Sequence, residues 1–310
     1  MSTPHWVDTN AWPYEPRWCE TSDGRLHYID EGEGAPVLFV HGTPTWSFEW
    51  RYAIEALKAT NRVIAVDHLG FGRSDRPTGA DYTPEAHARR FKEFISALAL
   101  DHSGQPPLTV VVHDFGGPIA LDWILDCASS HPECIARVVV VNSWCWSLER
   151  DPVMWRRAKV AGTGLVRWLY RQLNASPRFL LPGAYGDRKR LPRGVHANYQ
   201  AVFDTAEVRE RVLFALAQSL TASSPYFEGL WNRRAALNRT PLHILWGLAD
   251  SAFPPHMLEV WKQGFPHVTI ERFEGVGHWP HEEAPEMFVP ALVALLHRDS
   301  GQDSPPSGAP

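Results

Sequence analysis

The sequence predicts a protein of the α/β class, with a mostly parallel central sheet that is flanked by helices and interrupted by an inserted helical cap. Short runs of β-branched residues alternate with helix-like segments over residues 25–142, which favours a parallel sheet covered on both faces. Strand-like runs are then absent from residues 144–234 and return at 242–246 and 269–273. The intervening segment is therefore expected to be an insertion made of helices.

The individual elements follow from these runs in chain order. The predicted strands are residues 25–30, 37–41, 62–67, 108–113, 135–142, 242–246 and 269–273, and a final amphipathic helix covers about 286–297. The predicted organisation is a first part of the core at 1–143, a helical cap at 144–234, a second part of the core at 235–298, and a disordered tail at 299–310 that is rich in Ser, Pro and Gly. Ligands of open α/β sheets bind beyond the carboxyl ends of the strands, so the cap is expected to cover the binding pocket.

Composition excludes several classes of function. With 30 Lys and Arg against 35 Asp and Glu, the chain has a net charge of −5, and nucleic acid is not expected as a partner. The longest apolar stretch, residues 287–296, is too short to cross a bilayer and contains Pro290, so no membrane partner is expected. Four cysteines without a CxxC pair indicate a reducing compartment and no structural zinc. We therefore expect a cytoplasmic location.

The strongest local signal surrounds Asp114. An apolar strand from Leu108 stops at this residue, turns through Gly116 and Gly117, and leads to Pro118. This pattern is that of a nucleophile elbow with Asp in the place of the nucleophile, since a close strand-to-helix turn needs small residues. The structural alternative is that Asp114 only caps a helix that begins at Pro118.

A second strand end carries the sequence His41-Gly42-Thr43-Pro44. The backbone N–H of Thr43 is expected to lie beside the elbow and to form an oxyanion hole with the N–H of Phe115. The alternative is an ordinary turn at the end of a strand.

Two further strand ends supply a carboxylate and a base. The strand at 242–246 precedes Asp250, and the strand at 269–273 precedes His278 in a Gly-containing loop. The chain order Asp114, Asp250, His278 is the nucleophile, acid, base order of α/β-hydrolases. A single His in such a loop is often structural, but three strand ends together predict a catalytic triad.

Competing motifs are weak. No G-x-S-x-G sequence occurs, so a serine esterase of the usual pattern is not expected. His278, His281, Glu282 and Glu283 do not have the HExxH order, and no metal is expected at them.

Longer motifs resemble the haloalkane dehalogenases and their close relatives, the epoxide hydrolases. The resemblance rests on the segments 41–51, 67–77, 113–117, 246–253 and 277–278, covers residues 25–297, and is weakest in the cap. It implies an α/β-hydrolase fold, an Asp nucleophile and hydrolysis through a covalent ester, with a small apolar organic substrate and water as the reactants. It implies no cofactor, and the sequence does not predict an oligomeric state.

Two departures from the family pattern concern the leaving group. Dehalogenases usually have a halide-binding Trp after the nucleophile and often Asn third in the HGxP loop, where this chain has Phe115 and Thr43. Phe has no donor. The cap entrance offers other candidates for the leaving-group pocket: Trp144, Trp146, Trp155 and Trp168 for a halide, and Tyr170 and Tyr226, with Tyr185 and Tyr199 in reserve, for an epoxide oxygen.

Three functions therefore stay open at the level of sequence. Cleavage of carbon–halogen bonds is the first prediction, and epoxide hydrolysis with cap tyrosines as acids is the second. The third is a non-catalytic ligand-binding homologue, although all three triad positions are filled.

Overall fold

The computed structural model describes residues 4, 6–102 and 104–297, so the predicted disordered tail at 299–310 lies outside the described residues. These residues contain an eight-stranded sheet with the order β1-β2-β4-β3-β5-β6-β7-β8. The strands are β1 Arg17–Thr21, β2 Gly24–Glu31, β3 Ala35–Val40, β4 Asn61–Val66, β5 Leu108–Asp114, β6 Ile135–Ser143, β7 Leu242–Gly247 and β8 Thr269–Phe273.

The sheet is parallel from β4 to β8 and antiparallel at the β1 edge. Strand β2 pairs antiparallel with both β1 and β4, whereas β3 to β8 pair in parallel. Strand β1 was not predicted, because Arg17–Thr21 has no run of β-branched residues and buries only Cys19. Strand β1 forms by pairing with β2, and the residues of β1 alone do not indicate this contact.

The α-helices surround this sheet. They are α1 Arg51–Leu57, α2 Pro84–Ala97, α3 Gly116–Ser130, α4 Pro152–Ala161, α5 Gly164–Leu173, α6 Leu181–Gly183, α7 Arg193–Val202, α8 Ala206–Val208, α9 Ala215–Ala222, α10 Ser224–Arg233, α11 His256–Gly264, α12 Pro280–Glu283 and α13 Pro285–His297. The 3-10 or π turns are Ser47–Trp50, Pro132–Cys134, Leu148–Arg150, Ser176–Leu180, Arg188–Arg190, Arg209–Phe214 and Arg234–Arg239.

Helices α4 to α10 lie between β6 and β7, and the described residues of this segment contain no strand. The predicted α/β class, with a mostly parallel sheet and an inserted helical segment, is thus confirmed. The exact domain boundaries stay a prediction. Among the described residues, no helix combines the length and apolar character that a membrane span requires.

The centre of the core lies on β5 and β6. Every residue of β5 is buried, including the polar His113 and Asp114 at its end. Helix α3 begins at Gly116 and not, as predicted, at Pro118, because Phe115 already has helical dihedral angles. Pro118 fits in the first turn, where no backbone N–H is needed. The first turn of α3 therefore starts directly behind Asp114.

Candidate active site

Three strand ends bring the predicted triad together. Asp114 ends β5, and Asp250 and His278 follow β7 and β8. Nδ1 of His278 lies 2.7 Å from Oδ2 of Asp250, and Nε2 of His278 lies 3.4 Å from Oδ2 of Asp114. All three side chains are buried, with 5% of Asp114 exposed. These contacts are what the predicted triad would require, with His278 between the two carboxylates.

The backbone at Asp114 is strained in the way that a nucleophile elbow requires. Its φ angle is +49°, a left-handed conformation that is uncommon for a non-glycine residue. Gly42 allows the close approach, since a Cβ there would lie 2.3 Å from Cβ of Asp114. Gly117 has the same role on the other side, where a Cβ would lie 1.9 Å from Oγ of Ser143.

The predicted oxyanion residues flank the nucleophile. The backbone N–H of Thr43 donates to Oδ1 of Asp114 at 2.8 Å. Phe115 stands at the start of α3, and its ring packs edge-on against Trp144 with 4.9 Å between the ring centroids. Both residues line the same cavity as Asp114.

The protonation of His278 depends on its two carboxylate neighbours. Burial alone would lower the pKa of this imidazole, but Asp250 and Asp114 outweigh burial and raise the pKa to about 10. When Asp114 is converted to a neutral ester, one of the two charges that stabilise the imidazolium is lost. Formation of an ester on Asp114 would therefore lower the pKa of His278 and favour its action as a base.

Asp250 accepts four hydrogen bonds, one of them from Asn142, which the sequence did not indicate as a site residue. Oδ1 of Asp250 accepts the backbone N–H groups of Ala252 and Phe253 at 2.7 and 2.9 Å. Oδ2 accepts a hydrogen bond from Nδ2 of Asn142 at 2.7 Å, and the side-chain Oδ1 of Asn142 accepts one from the backbone N–H of Gly247 at 2.9 Å. A polar residue at the end of β6, next to the end of β7, is the signal that could have indicated this contact. Asn142 thus orients the acid.

An apolar cavity of about 300 Å³ lies above Asp114. Its walls are mostly apolar side chains of the loops and of the inserted helices: Pro44, Phe115, Leu148, Met154, Ala158, Ala161, Leu180, Leu181, Ala184, Leu213, Ala217, Leu220, Ala252, Phe253 and Trp279. The side chains with donor groups are Thr43, Arg157, Tyr170, Ser176, Ser251 and His278, together with the indole N–H of Trp279. A cavity of this size and polarity suits a small apolar molecule.

Four of the predicted leaving-group candidates, Trp144, Trp146, Tyr170 and Tyr226, occupy different places. Tyr170 lines the cavity, and burial, with a smaller contribution from the charge of Asp114, raises its pKa to about 12. Trp144 is fully buried behind Phe115 and is not a lining residue. Trp146 packs against other tryptophans in the core, and the hydroxyl of Tyr226 donates to the carbonyl oxygen of Pro118 at 2.7 Å. Neither of these two lines the cavity.

The two reserve tyrosines and the remaining candidates, Trp155 and Trp168, do not line the cavity. The hydroxyl of Tyr185 donates to Glu282 at 3.0 Å, Tyr199 is fully buried against Phe48, and Trp168 is 53% exposed. Tyr170 is therefore the one tyrosine that the described residues contribute to this cavity.

Three side chains of residue types that can bind a metal ion lie close together beside His278. The ligand atoms of Glu49, His113 and His281 all lie within 4.8 Å of one another, and the three side chains are buried. Glu49 and His113 were not singled out from the sequence, because they are 64 residues apart and meet only in the fold. This cluster adjoins the catalytic base but does not line the cavity.

The sequence is similar to known proteins over most of its length. Residues 35–285 match the family described as alpha/beta hydrolase fold. Haloalkane dehalogenase 2 of Mycobacterium tuberculosis is 32% identical over 295 residues, which cover 94% of this chain and 99% of the relative. A cis-3-alkyl-4-alkyloxetan-2-one decarboxylase of Shewanella oneidensis is 31% identical over 300 residues, which cover 89% and 86% of the two chains.

A solved structure supports the same relationship. The crystal structure of a haloalkane dehalogenase from Agrobacterium tumefaciens has a TM-score of 0.76 and 25% identity, with 92% of this chain and 96% of that chain covered. The resemblance found in the sequence motifs is thereby confirmed. The chain belongs to the alpha/beta hydrolase fold family, and within it to the haloalkane dehalogenase-like enzymes.

Proposed function

We propose that this enzyme hydrolyses carbon–halogen bonds of small apolar organic molecules through an ester on Asp114. The observation that carries the proposal is the carboxylate of Asp114 at the floor of an apolar cavity, with Oδ1 bound by the N–H of Thr43 and Oδ2 facing His278. A carboxylate in a dry cavity is a good nucleophile towards an electrophilic carbon. The names of the haloalkane dehalogenase relatives support the same reaction.

In the first step, an oxygen of Asp114 attacks the carbon that carries the halogen. The carbon–halogen bond breaks, the halide leaves with the bonding electron pair, and an alkyl ester remains on Asp114. This step needs no proton transfer.

In the second step, His278 removes a proton from water, and the resulting hydroxide attacks the carbonyl carbon of the ester. The N–H of Thr43, which donates to Oδ1, would stabilise the oxyanion, a contact worth about 3 kcal/mol in comparable sites. Collapse of the intermediate releases the alkoxide, which takes the proton from His278 and leaves as the alcohol. Asp114 returns to its ionised form with the release of one proton.

The leaving group is held differently from the family pattern. Phe115 has no N–H in its side chain, and the hydroxyl of Tyr170 is a donor in the cavity wall. Among the leaving-group candidates that the sequence indicated, Tyr170 lines the cavity, and we assign it as a side-chain donor to the departing halide. The cytoplasmic location and the absence of cofactors stay predictions from the sequence.

Trapping of the ester tests the assignment of the nucleophile. In His278→Gln, reaction with 1-bromobutane should release one halide per enzyme and leave a butyl group on the peptide that contains Asp114, because the ester forms but is not hydrolysed. Asp114→Asn should release no halide and form no adduct. An unmodified Asp114 with the butyl group on another side chain would contradict the proposal.

Opening of a strained oxygen ring is the second candidate function, and Tyr170 favours it. A hydroxyl beside the nucleophile can protonate the ring oxygen of an epoxide, or of the oxetanone that one relative's name includes. A mixed panel of bromoalkanes, epoxides and a cis-dialkyl oxetanone, with halide, diol and alkene measured, distinguishes these reactions. Diol or alkene without halide release would favour ring opening, and no product from any substrate would favour the non-catalytic alternative.

A further inference from the structure

A continuous chain of buried polar contacts connects the two loops that act on Asp114. The hydroxyl of Thr45 contacts the carbonyl oxygen of Gly42 at 3.2 Å and also a carboxylate oxygen of Glu49. The other oxygen of Glu49 lies 3.2 Å from Nδ1 of His113, and Nε2 of His113 lies 2.9 Å from the carbonyl oxygen of His278. The chain thus starts in the loop that carries Thr43 and ends in the loop that carries the base.

The atoms that face His113 define its hydrogen bonds. A backbone carbonyl oxygen accepts only, so Nε2 carries the hydrogen that bonds to the carbonyl oxygen of His278. Nδ1 faces a carboxylate oxygen of Glu49 at 3.2 Å, and both side chains are 0% exposed. Each ring nitrogen of His113 therefore makes one buried contact, and the two contacts connect Glu49 to the loop of His278.

Other buried groups pack around Glu49. Burial would raise the pKa of Glu49, but His113 and His281 hold it well below its usual value. Burial lowers the pKa of His281 to about 4, and this ring stacks on Trp50 with 4.2 Å between the centroids. The Glu49–His113 pair therefore lies in a tightly packed, buried environment.

We propose that the Glu49–His113 pair has a positioning role: it holds His278 and the backbone N–H of Thr43 at the right distance and orientation to the carboxyl group of Asp114. The inference rests on the proposed function, in which both groups act on the ester of Asp114. The centroids of the His113 and His278 rings lie 4.7 Å apart. In the chain, His113 directly precedes Asp114 at the end of β5. It supports the base through its backbone and does not contact the cavity.

The two chemical steps should respond differently to loss of this pair. Formation of the ester uses the carboxylate of Asp114 alone, whereas hydrolysis needs the base and the oxyanion donor at the same time. A displacement of either group by about 1 Å can reduce a rate by about 100-fold. Loss of the pair should therefore slow the second step selectively.

Two variants of Glu49 test the proposal kinetically. In Glu49→Leu, rapid-quench measurement with 1-bromobutane should show a halide burst within about threefold of wild type and a steady rate lower by up to about 100-fold. In Glu49→Gln, the amide can donate to Nδ1 of a neutral His113, which keeps its Nε2–H on His278. This variant should recover most of the steady rate, because position is retained while charge is removed.

A second buried pair provides the matched control. Nδ1 of His27 lies 2.8 Å from Oδ2 of Asp67, and both side chains are 0% exposed. His27→Leu should lower thermal stability to a similar extent without separating the burst from the steady rate. Equal slowing of both steps in Glu49→Leu and in the control would reduce the pair to a structural role and overturn the proposal. Failure of Glu49→Gln to recover the rate would also overturn it.

A measurement without substrate distinguishes this proposal from the proposed function. The hydrogen between Nδ1 of His278 and Asp250, at 2.7 Å, should give a proton NMR signal at low field that Asp250→Asn removes. Glu49→Leu should shift or broaden this signal, and Glu49→Gln and His27→Leu should retain it. An unchanged signal in Glu49→Leu would contradict the inference even if halide is released. Elemental analysis showing one bound metal per chain would overturn the proposal, because Glu49 and His113 would then be metal ligands and not partners in a hydrogen bond.

Discussion

Replacement of Asp250 by Asn removes the charge behind the catalytic base while it retains the size of the side chain. Oδ2 of Asp250 accepts Nδ1–H of His278 and Nδ2–H of Asn142, each at 2.7 Å. Oδ1 accepts two backbone N–H groups at 2.7 and 2.9 Å. An amide in either orientation places its NH₂ group against two donors, so the substitution cannot preserve all four bonds.

The expected loss follows from the bonds that are broken. Two hydrogen bonds to a charged acceptor are worth about 1.5 to 3 kcal/mol each. Their loss from the hydrolysis step, at about 1.4 kcal/mol per factor of ten, lowers the rate by about two to four powers of ten. The amide also favours the tautomer of His278 with hydrogen on Nε2, which cannot accept a proton from water. Ester formation should stay within a few-fold of wild type.

Rapid-quench kinetics with mass spectrometry measures both steps in Asp250→Asn. The expected result is a normal halide burst, an accumulated ester on Asp114 and a steady rate lower by at least about 100-fold. Asp67→Asn, in the buried pair with His27, controls for the loss of a buried charge elsewhere in the core. A steady rate within about threefold of wild type would refute the reasoning and require another carboxylate for His278. Glu149 is exposed, whereas His278 is buried, so we do not expect Glu149 to be that carboxylate.

Four further predictions concern the leaving group, the acid and the base. Phe115→Trp should raise chloride release from 1-chlorobutane by about tenfold, since a side-chain N–H to an anion is worth about 1.5 kcal/mol or more; unchanged chloride release with intact bromide release would contradict this. Tyr170→Phe should slow chloride more than iodide in the burst phase, and equal effects on both halides would show that its hydroxyl does not touch the leaving group. Asn142→Ala should lower the steady rate by about tenfold and leave the burst unchanged, because it removes one bond to the acid; a loss confined to the burst would refute the role given to it. The pKa of His278 is raised to about 10 from an ordinary 6.5, and the resulting contribution to stability is complete below about pH 6.5 and is lost as the pH rises through 10. In urea unfolding, the stability of wild type relative to His278→Gln should therefore fall over that range. A difference that grows with pH would contradict the shift.

Much of the fold and of the triad could be predicted because the signals are local. The apolar run that ends at Asp114 becomes β5, and the runs before Asp250 and His278 become β7 and β8. Parallel strands bring their carboxyl ends to one edge of the sheet, so three separate strand ends predict one site. The distances of 2.7 and 3.4 Å around His278 agree with that prediction. The edge strand β1 lacked such a signal, because its position depends on its partner.

Packing between distant segments sets which side chains line the cavity and which contact the predicted triad. Tyr170 and Tyr226 are equivalent candidates in sequence, yet one lines the cavity and the other bonds to Pro118. Glu49 is 64 residues from His113, which is 165 residues from the carbonyl group it contacts. Sequence patterns report which face of a strand or helix is apolar, whereas contacts between distant segments depend on how those faces pack. The sequence by itself therefore predicts the triad residues, and the tertiary structure adds the tyrosine of the cavity wall and the contacts around His278.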